Sequence, residues 1–329
     1  QRCTTLTITV PQAHYPAGNY NAVVTNPAPV DCPTKQQVDY TEVPPPKLTK
    51  VEPDLACDAQ GTRTLVLTGQ DFLQIGSDAP TVKLGNGLTL PSVASNCTAI
   101  TGPANETAQK CTTLTVTLAQ NGLQPGNYNA VVTNPAPAGC ISTDPVDFTV
   151  VAPPTLASVV ADVVCSAQGD RTVTLTGTGF IQVGTTAPSV AIGTTTLTSV
   201  PSNCTAITGP ANETAQSCTT LTVTVPQTLA AGAYPVVVTN PAPAGCATQE
   251  TVGLLDLPAP TLATAEPELA CNAQGTTTVT LTGTDFYVVA GTSPSVTITG
   301  AGSPQTFTST ASSCTAVTGA LETVQRWMR

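Results

Sequence analysis

Charged residues are scarce in this 329-residue chain, where Lys, Arg, Asp and Glu make up 9% of the sequence, against about 25% in an average soluble domain. Low charge is typical of membrane proteins. However, Thr, Ser, Asn or Pro interrupts every apolar run before it reaches the length of a spanning helix, so we expect no membrane span. The hydrophobic fraction of 40% is enough to bury cores, which argues against disorder.

Basic, aromatic and histidine side chains are also few. A net charge of −10 argues against a nucleic-acid partner, which requires a basic surface. With one His, and with no catalytic triad, Gly-rich phosphate loop or Cys-x-x-Cys cluster, the sequence predicts neither an enzyme nor a bound cofactor or metal. Carboxylates gather at Glu52, Asp54 and Asp58, and we interpret them as solvated charge rather than a calcium site because they do not recur in every repeat.

Cysteine is the exception, with twelve residues at periodic positions. An even count in a chain almost without His indicates disulfides and an oxidising compartment, so we expect an extracellular or cell-surface location. No signal-peptide pattern is visible at Gln1, and we expect a mature or excised product.

Internal repeats organise the chain. The pentapeptide CDAQG at Cys57 recurs as CSAQG at Cys165 and as CNAQG at Cys271, spacings of 108 and 106 residues. The heptapeptide VVTNPAP occurs three times, with its Asn at Asn26, Asn134 and Asn240.

Proline clusters mark the boundaries between repeats. They delimit two complete repeats, 47–154 and 155–260, whereas 1–46 matches only the second half of a repeat and 261–329 only the first half. Such short linkers favour extended polyproline conformation, so we expect a semi-rigid linear rod. The dipeptide Gln325-Arg326 occupies the place of Gln1-Arg2 three repeats later, so the chain is three repeats long but begins and ends within a repeat.

Alternation of Thr with Val, Leu or Ile predicts short strands and an all-β fold. In the first complete repeat we predict strands A to G of an antiparallel sandwich at 47–52, 62–69, 80–85, 87–94, 112–119, 127–133 and 145–151. By alignment, 1–46 should carry strands E, F and G, and 261–329 strands A, B, C and C′.

The run TVTLTGTGF at Thr172–Phe180 resembles the strand-B pattern of IPT/TIG immunoglobulin-like domains, and Leu65–Phe72 and Val279–Phe286 are similar to it. The resemblance implies tandem immunoglobulin-like sandwiches. In bacterial surface proteins such domains serve as spacers, stalks and adhesion modules, and they carry no catalytic residues.

Cysteine spacing predicts one disulfide in each complete repeat. Cys97 and Cys111, like Cys204 and Cys218, are 14 residues apart and bracket the loop between C′ and E. A bridge across such a loop is worth about 3 kcal/mol in the chain-entropy model.

The other cysteines leave alternatives open. Cys57 should lie at the A–B end of the sandwich and Cys140 at the F–G end, about 20 Å apart, which is beyond disulfide reach. Either the strand count is wrong or Cys57 bonds a neighbouring domain, and the same question applies to Cys165 and Cys246.

The terminal half-repeats also carry cysteines. Cys314 takes the Cys97 position and Cys3 the Cys111 position, so we expect a bond between Cys314 of one subunit and Cys3 of the next. Cys32 and Cys271 likewise belong to complementary halves, and they are candidates for disulfide bonding between subunits. The tail Trp327–Arg329 breaks the repeat. It is a C-terminus that packs its Trp on the next subunit, a poorly ordered end, or an error in the assigned sequence.

Asn-x-Thr motifs make Asn96, Asn105, Asn203 and Asn212 candidates for glycosylation. Simple repetition also explains the motifs.

Half a sandwich exposes an apolar face and unpaired strand edges, which predicts pairing with a complementary half. The sequence therefore indicates a structural subunit of an extracellular filament that polymerises with itself head to tail. The alternative is an excised segment of an adhesin stalk whose loops bind surface glycans or receptors on a host or neighbouring cell. An enzyme's accessory module is a third hypothesis.

Overall fold

The computed structural model describes residues 1–11, 14–85, 87–102, 107–211, 214–250, 252–271, 273, 275–300, 302–317 and 324–327, with only the backbone for Ser166 and 324–327. The chain divides into two units, Gln1–Ala152 with Thr208–Glu213, and Pro153–Ile207 with Thr214–Arg329.

The strands of the first unit form one complete repeat and one small ladder. They are β1 (Gly18–Ala22), β2 (Val38–Glu42), β3 (Lys47–Glu52), β4 (Leu55–Cys57), β5 (Arg63–Ile75), β6 (Thr81–Leu84), β7 (Leu88–Ala99), β8 (Ala108–Leu118), β9 (Gly126–Thr133) and β10 (Val146–Val151).

The second unit repeats this order and adds short strands after it. They are β11 (Thr155–Val160), β12 (Val163–Cys165), β13 (Arg171–Val183), β14 (Ser189–Ile192), β15 (Thr195–Ala206), β16 (Ala215–Val225), β17 (Gly232–Thr239), β18 (Val252–Leu257), β19 (Thr261–Glu266), β20 (Thr280–Thr284), β21 (Tyr287–Val289), β22 (Ser295–Ile298), β23 (Gln305–Thr308), β24 (Cys314–Val317) and β25 (Val324–Trp327). A 3-10 turn, Ser166–Gln168, follows β12.

Each complete repeat is a two-layer sandwich. In the first, one sheet has the order β3-β5-β8-β7 and the other the order β7-β6-β9-β10-β4. The long strand β7 belongs to both sheets, pairing with β6 through Leu88–Pro91 and with β8 through Ser92–Ala99. All pairs are antiparallel except β4 with β10. This is the arrangement of an immunoglobulin-like sandwich whose first strand switches sheets, so the predicted fold class is confirmed.

The alternating sequence explains the layers. Along β5 and β8, Leu65, Leu67, Leu114 and Val116 face the core, while the residues that alternate with them are exposed or half-buried. Gly69 is required where β3 pairs with β5, because a Cβ there would lie 2.2 Å from the carbonyl oxygen of Lys47. Gly177 and Gly283 meet the same constraint, which accounts for the glycine of the repeated strand-B motif.

The second complete repeat has sheet orders β11-β13-β16-β15 and β15-β14-β17-β18-β12. Its core carries Phe180, Leu175 and Leu254 at the positions of Phe72, Leu67 and Phe148.

The predicted strands differ from the structure in two respects. The β4 segment was missed because its three residues are too short for a periodic signal. Strands β5, β7 and β8 are longer than predicted, since β7 and β8 continue past Cys97 and Cys111 as a paired hairpin.

In the half-repeats, fewer strands form. Residues 1–46 hold the β1–β2 ladder, the counterpart of F and G. The expected strand E is not a strand among the described residues 1–11. The reason is that its counterpart β8 is a central strand held between β5 and β7, and 1–46 contains neither neighbour. No helix in the described part of the chain has the length and apolar character needed to cross a bilayer.

Candidate assembly interface

The hairpin disulfides join directly opposed residues of two paired strands. Cys97 is the register partner of Cys111, with an S–S distance of 2.02 Å and a Cα–Cα distance of 4.0 Å. Cys204 and Cys218 repeat this geometry, with distances of 2.03 Å and 4.0 Å. Cys111 and Cys218 are fully buried, so each bridge ties the hairpin to the core as well as closing a loop.

The structure brings these two predicted pairs together, but not at the edges of a loop. The cysteines lie inside the hairpin, and the connection between β7 and β8 is only residues 100–107.

Residues 4–10 form an open segment that we call the E segment. Its side chains Leu6 and Ile8 are 68% and 79% exposed, whereas their counterparts Leu114 and Val116 in β8 are 0% and 1% exposed. The same alternation of Thr and apolar residues is present in both segments. What differs is the absence of strands on either side of the E segment.

The β1–β2 ladder lacks a further neighbour. In the complete repeat, β9 lies between β10 and β6, but β1 pairs only with β2. Val24, the counterpart of the fully buried Val132, is 44% exposed as a result. The first half-repeat therefore presents one unpaired strand edge beside an apolar surface.

The C-terminal half-repeat is open in the complementary way. It forms three separate ladders, β19 with β20, β22 with β23, and β21-β25-β24. Leu262, whose counterpart Leu156 is buried, is 63% exposed. Apart from β25, its strands correspond to the predicted A, B, C and C′. The strands that would close both sheets over them correspond to the rest of E and to F and G.

Strand β25 occupies the outer end of the position that β8 takes in a complete repeat. Trp327 is the register partner of Cys314, as Cys111 is of Cys97. Cys314 therefore has no cysteine opposite it in this chain, and its thiol is free.

The remaining cysteines divide into bonded and free residues. Cys57 and Cys246 are disulfide-bonded. Free thiols among the described residues are those of Cys3, Cys32, Cys140, Cys165, Cys271 and Cys314.

Cys57 and Cys140 lie at opposite ends of their sandwich. Cys57 is the register partner of Val151, the last residue of β10, whereas Cys140 lies in the F–G loop, where its carbonyl accepts from Asn134 N–H at 2.8 Å. This separation is the one expected from the strand order. Burial, followed by the nearby carboxylate of Glu42, raises the pKa of the Cys140 thiol.

The predicted glycosylation positions are only partly visible. Asn96 and Asn203 are exposed at positive φ of 54° and 53°, and their side-chain amides donate to the hydroxyls of Thr113 and Thr220 at 3.0 and 3.1 Å. The amide nitrogen that would carry a glycan is thus engaged across the hairpin. Asn105 and Asn212 lie outside the described residues, and glycosylation stays a prediction.

The acidic residues considered for calcium do not converge. Glu52 pairs with Lys50, and Asp54 is buried. No group of three or more potential metal ligands occurs within the described segments.

A contact between neighbouring repeats was missed by the sequence analysis. The side-chain amide of Asn19 donates to the carbonyl of Thr101 at 2.7 Å, and Gly102 packs against Asn19 and Thr41. The recurring Thr-Gly dipeptide in the C′–E connection was the signal that could have indicated it.

No family model matches the sequence, and no curated protein matches it. Solved structures with some likeness include SGBP-B of the mixed-linkage glucan utilization locus of Bacteroides ovatus in complex with a mixed-linkage heptasaccharide (16% identity, 89% of this chain and 72% of that chain covered, TM-score 0.22). Two others are the surface glycan-binding protein PbSGBP-B from Prevotella bryantii (15%, 64% and 41%, 0.21) and the polymeric Ig receptor ectodomain of a teleost fish (15%, 65% and 97%, 0.20). TM-scores this low carry no conclusion about function.

Proposed function

We propose that this chain is a structural subunit of an extracellular filament, in which the first half-repeat of one copy completes the last half-repeat of another. The observation that supports the proposal most directly is the exposed E segment, which has the sequence of a central strand but no neighbouring strands. The proposed partner strands are β20 with β21 on one side and β24 on the other.

Burial of apolar side chains would drive this pairing. Moving a Leu or Ile side chain from water into a core contributes about 1.5–3 kcal/mol. Leu6 and Ile8 from one copy, with Leu262 and Ile298 from the other, are exposed here and have buried counterparts in the complete repeats. Backbone hydrogen bonds along both edges of the E segment would strengthen the pairing and fix its register.

The contact joins two different surfaces, so it is heterologous. A heterologous contact propagates into a filament unless its rotation closes a ring. Cys3 would then lie opposite Cys314, at the positions that Cys111 and Cys97 hold in the complete repeat. For this bond to form, the incoming strand must take the backbone position that Trp327 holds in β25.

The numerous cysteines and the scarcity of charge support an extracellular or cell-surface setting. Six bonded cysteines fit an oxidising compartment. The hydroxyl groups of outward-facing Thr residues keep the surface of such domains hydrated although charged side chains are few.

Assembly without covalent bonds is the first test. The purified chain, kept reduced, is measured by light scattering and electron microscopy over a range of concentrations, and we expect linear multimers that grow with concentration. In Leu6→Asp with Ile8→Asp they should be lost, because a charge would enter the joint core. The control is Thr9→Asp, whose counterpart Thr117 is exposed in the complete repeat.

A reduced chain that stays monomeric at every concentration would contradict the proposal. That outcome would favour the alternative, a segment of an adhesin stalk in which flanking residues complete both half-repeats. Equal loss of assembly in Thr9→Asp would also count against the proposed orientation of the E segment.

A further inference from the structure

We call Cys57, Cys165 and Cys271 the A–B cysteines, because each lies between strand A and strand B of its repeat in the sequence. In the complete repeats they lie at the C-terminal end, where the last strand of the repeat finishes. Cys57 is opposite Val151 at the end of β10, and Cys165 is opposite Leu257 at the end of β18. The next repeat begins only a few residues later, since β11 starts at Thr155. Each A–B cysteine is therefore placed where one repeat gives way to the next.

We call Cys32, Cys140 and Cys246 the F–G cysteines, because each lies in the loop between the last two strands of its repeat. In the complete repeats this loop is at the opposite, N-terminal end. Asn134, which binds the Cys140 carbonyl, also accepts from Leu73 N–H at 2.9 Å. Leu73 is close to Gln70, the register partner of Lys47 in the first strand of the repeat. The same backbone bond joins Asn26 to Cys32 at 3.0 Å and Asn240 to Cys246 at 2.8 Å.

Within the first unit, the C-terminal end of one repeat lies against the N-terminal end of the next. Strand β2 ends at Glu42, the counterpart of Val150, and the adjacent Thr41 lies against Gly102 in the connection between β7 and β8, where Asn19 also binds the Thr101 carbonyl. In a complete repeat, β4 would lie beside this strand and carry the A–B cysteine. Residues 1–46 contain no such strand, because it belongs to the other half of a repeat.

The state of these cysteines follows a simple pattern. Those that are disulfide-bonded are Cys57 and Cys246, and those that are free are Cys32, Cys140, Cys165 and Cys271. For Cys32 and Cys140, the 329 residues contain no A–B cysteine in the preceding repeat. For Cys165 and Cys271, they contain no F–G cysteine in the following repeat. Another copy of the chain, joined head to tail, would supply each missing position.

We propose that the four free cysteines cross-link two copies of the chain, each A–B cysteine bonding the F–G cysteine of the next repeat. Cys165 of one copy bonds Cys32 of the following copy. Cys271 of the first copy bonds Cys140 of the following one. This inference rests on the head-to-tail assembly proposed above and identifies its covalent contacts. Cys271 of one copy and Cys32 of the next lie in the same repeat, which the two copies complete together. They belong to different bonds because they are at opposite ends of that repeat.

Together with Cys314 and Cys3, each junction would then hold three disulfides between the same two copies. The chemistry is thiol–disulfide exchange with a small-molecule disulfide such as oxidised glutathione. Two cysteine thiols lose two protons and two electrons, one S–S bond forms, and the small disulfide is reduced to two thiols.

Isotope mixing tests the pairing. Equal amounts of ¹⁴N- and ¹⁵N-labelled chain are mixed reduced, assembled, oxidised with oxidised glutathione, digested with pepsin at acid pH and examined by mass spectrometry. We expect disulfide-linked peptides with one light and one heavy partner for Cys165–Cys32 and for Cys271–Cys140. Cys97–Cys111 should give single-isotope products only, which provides an internal control.

Mixed-isotope Cys32–Cys271 peptides, or single-isotope products alone, would overturn the inference. If the reduced chain assembles but shows one of these results, this inference fails while the proposed function stands. If the reduced chain does not assemble at all, the proposed function fails first.

Serine variants provide a second measurement. The double variant Cys3→Ser with Cys314→Ser should keep its covalent multimers on a non-reducing denaturing gel, because two bonds remain at each junction. Replacing Cys32, Cys140, Cys165 and Cys271 as well should remove them completely. Loss of all multimers in the double variant would contradict the assigned pairs.

Discussion

At the scale of single residues, the two complete repeats share a set of hydrogen bonds made by one buried asparagine in each. Asn134 is 2% exposed, accepts from Leu73 N–H and donates to the Asp71 carbonyl at 3.0 Å. It thus fastens the F–G turn to strand B, and Asn240 makes the same bonds to Ile181 and Gly179.

We expect Asn134→Ala to destabilise its repeat by about 1–3 kcal/mol, because the buried Leu73 N–H would lose its acceptor. Hydrogen exchange of the β5 and β9 amides would measure the change. Asn26→Ala is the matched control: Asn26 has the same sequence context but is exposed, and strand B is absent from its half-repeat. A similar loss in both variants would show that the bonds to strand B are not responsible.

A second prediction concerns the reactivity of Cys140. Because its pKa is raised by burial and then by Glu42, less of the thiol is ionised at a given pH, and alkylation should be slow. Glu42→Gln should lower that pKa and speed alkylation by iodoacetamide near pH 8. Cys165, followed by peptide mapping in the same sample, should keep its rate, and an unchanged rate at Cys140 would contradict the assigned role of Glu42.

At the scale of strands, one alternating pattern gives two different structures. Leu114 and Val116 lie in a central strand, whereas Leu6 and Ile8 lie in a segment without strand pairing. The periodicity of a segment determines which of its faces is apolar. The segment forms a strand only where neighbouring strands pair with it.

Strand β25 should slow the covalent joining of copies, because Trp327 holds the backbone position opposite Cys314. Deleting Val324–Arg329 should therefore increase the rate of Cys3–Cys314 bond formation several-fold, as followed on non-reducing gels with the other free cysteines replaced by serine. Deleting only Met328–Arg329 leaves β25 in place and should have little effect. Equal rates for the two deletions would mean that β25 does not compete with the incoming strand.

At the scale of the whole molecule, stability depends on covalent and apolar contacts more than on ion pairs. The Arg171–Asp256 pair is buried, with both side chains nearly inaccessible, whereas the Lys50–Glu52 and Lys110–Asp71 pairs are partly exposed. Each complete sandwich has its own apolar core. The first half-repeat meets the following repeat through the polar contact of Asn19 with Thr101, whereas Leu255 and Leu257 pack with Tyr287, Val289 and Val317 of the last half-repeat.

We expect Gly102→Ala to loosen the first half-repeat from the repeat that follows. Gly102 has a φ of +135°, and an added Cβ would lie 2.6 Å from Asn19 Oδ1 and 2.8 Å from Thr41 Oγ1. Strain of this kind costs roughly 1–3 kcal/mol, which corresponds to an increase of about fivefold or more in the exchange rate of the β1 and β2 amides. Gly61→Ala, where a Cβ meets nothing within 4 Å, is the control, and unchanged exchange in Gly102→Ala would refute the contact's role.

The repeat period, the all-β class, most strands and the Cys97–Cys111 and Cys204–Cys218 pairs could be predicted from the sequence, because they depend on local alternation and on short spacings. The sequence did not reveal β4, the continuation of the hairpin past the cysteines, or the position of Trp327 opposite Cys314. Those features depend on which strands meet. They become visible in the folded chain alone, since a strand, a buried side chain or a disulfide forms where distant segments supply its neighbours, as the contrast between Leu6 and Leu114 shows.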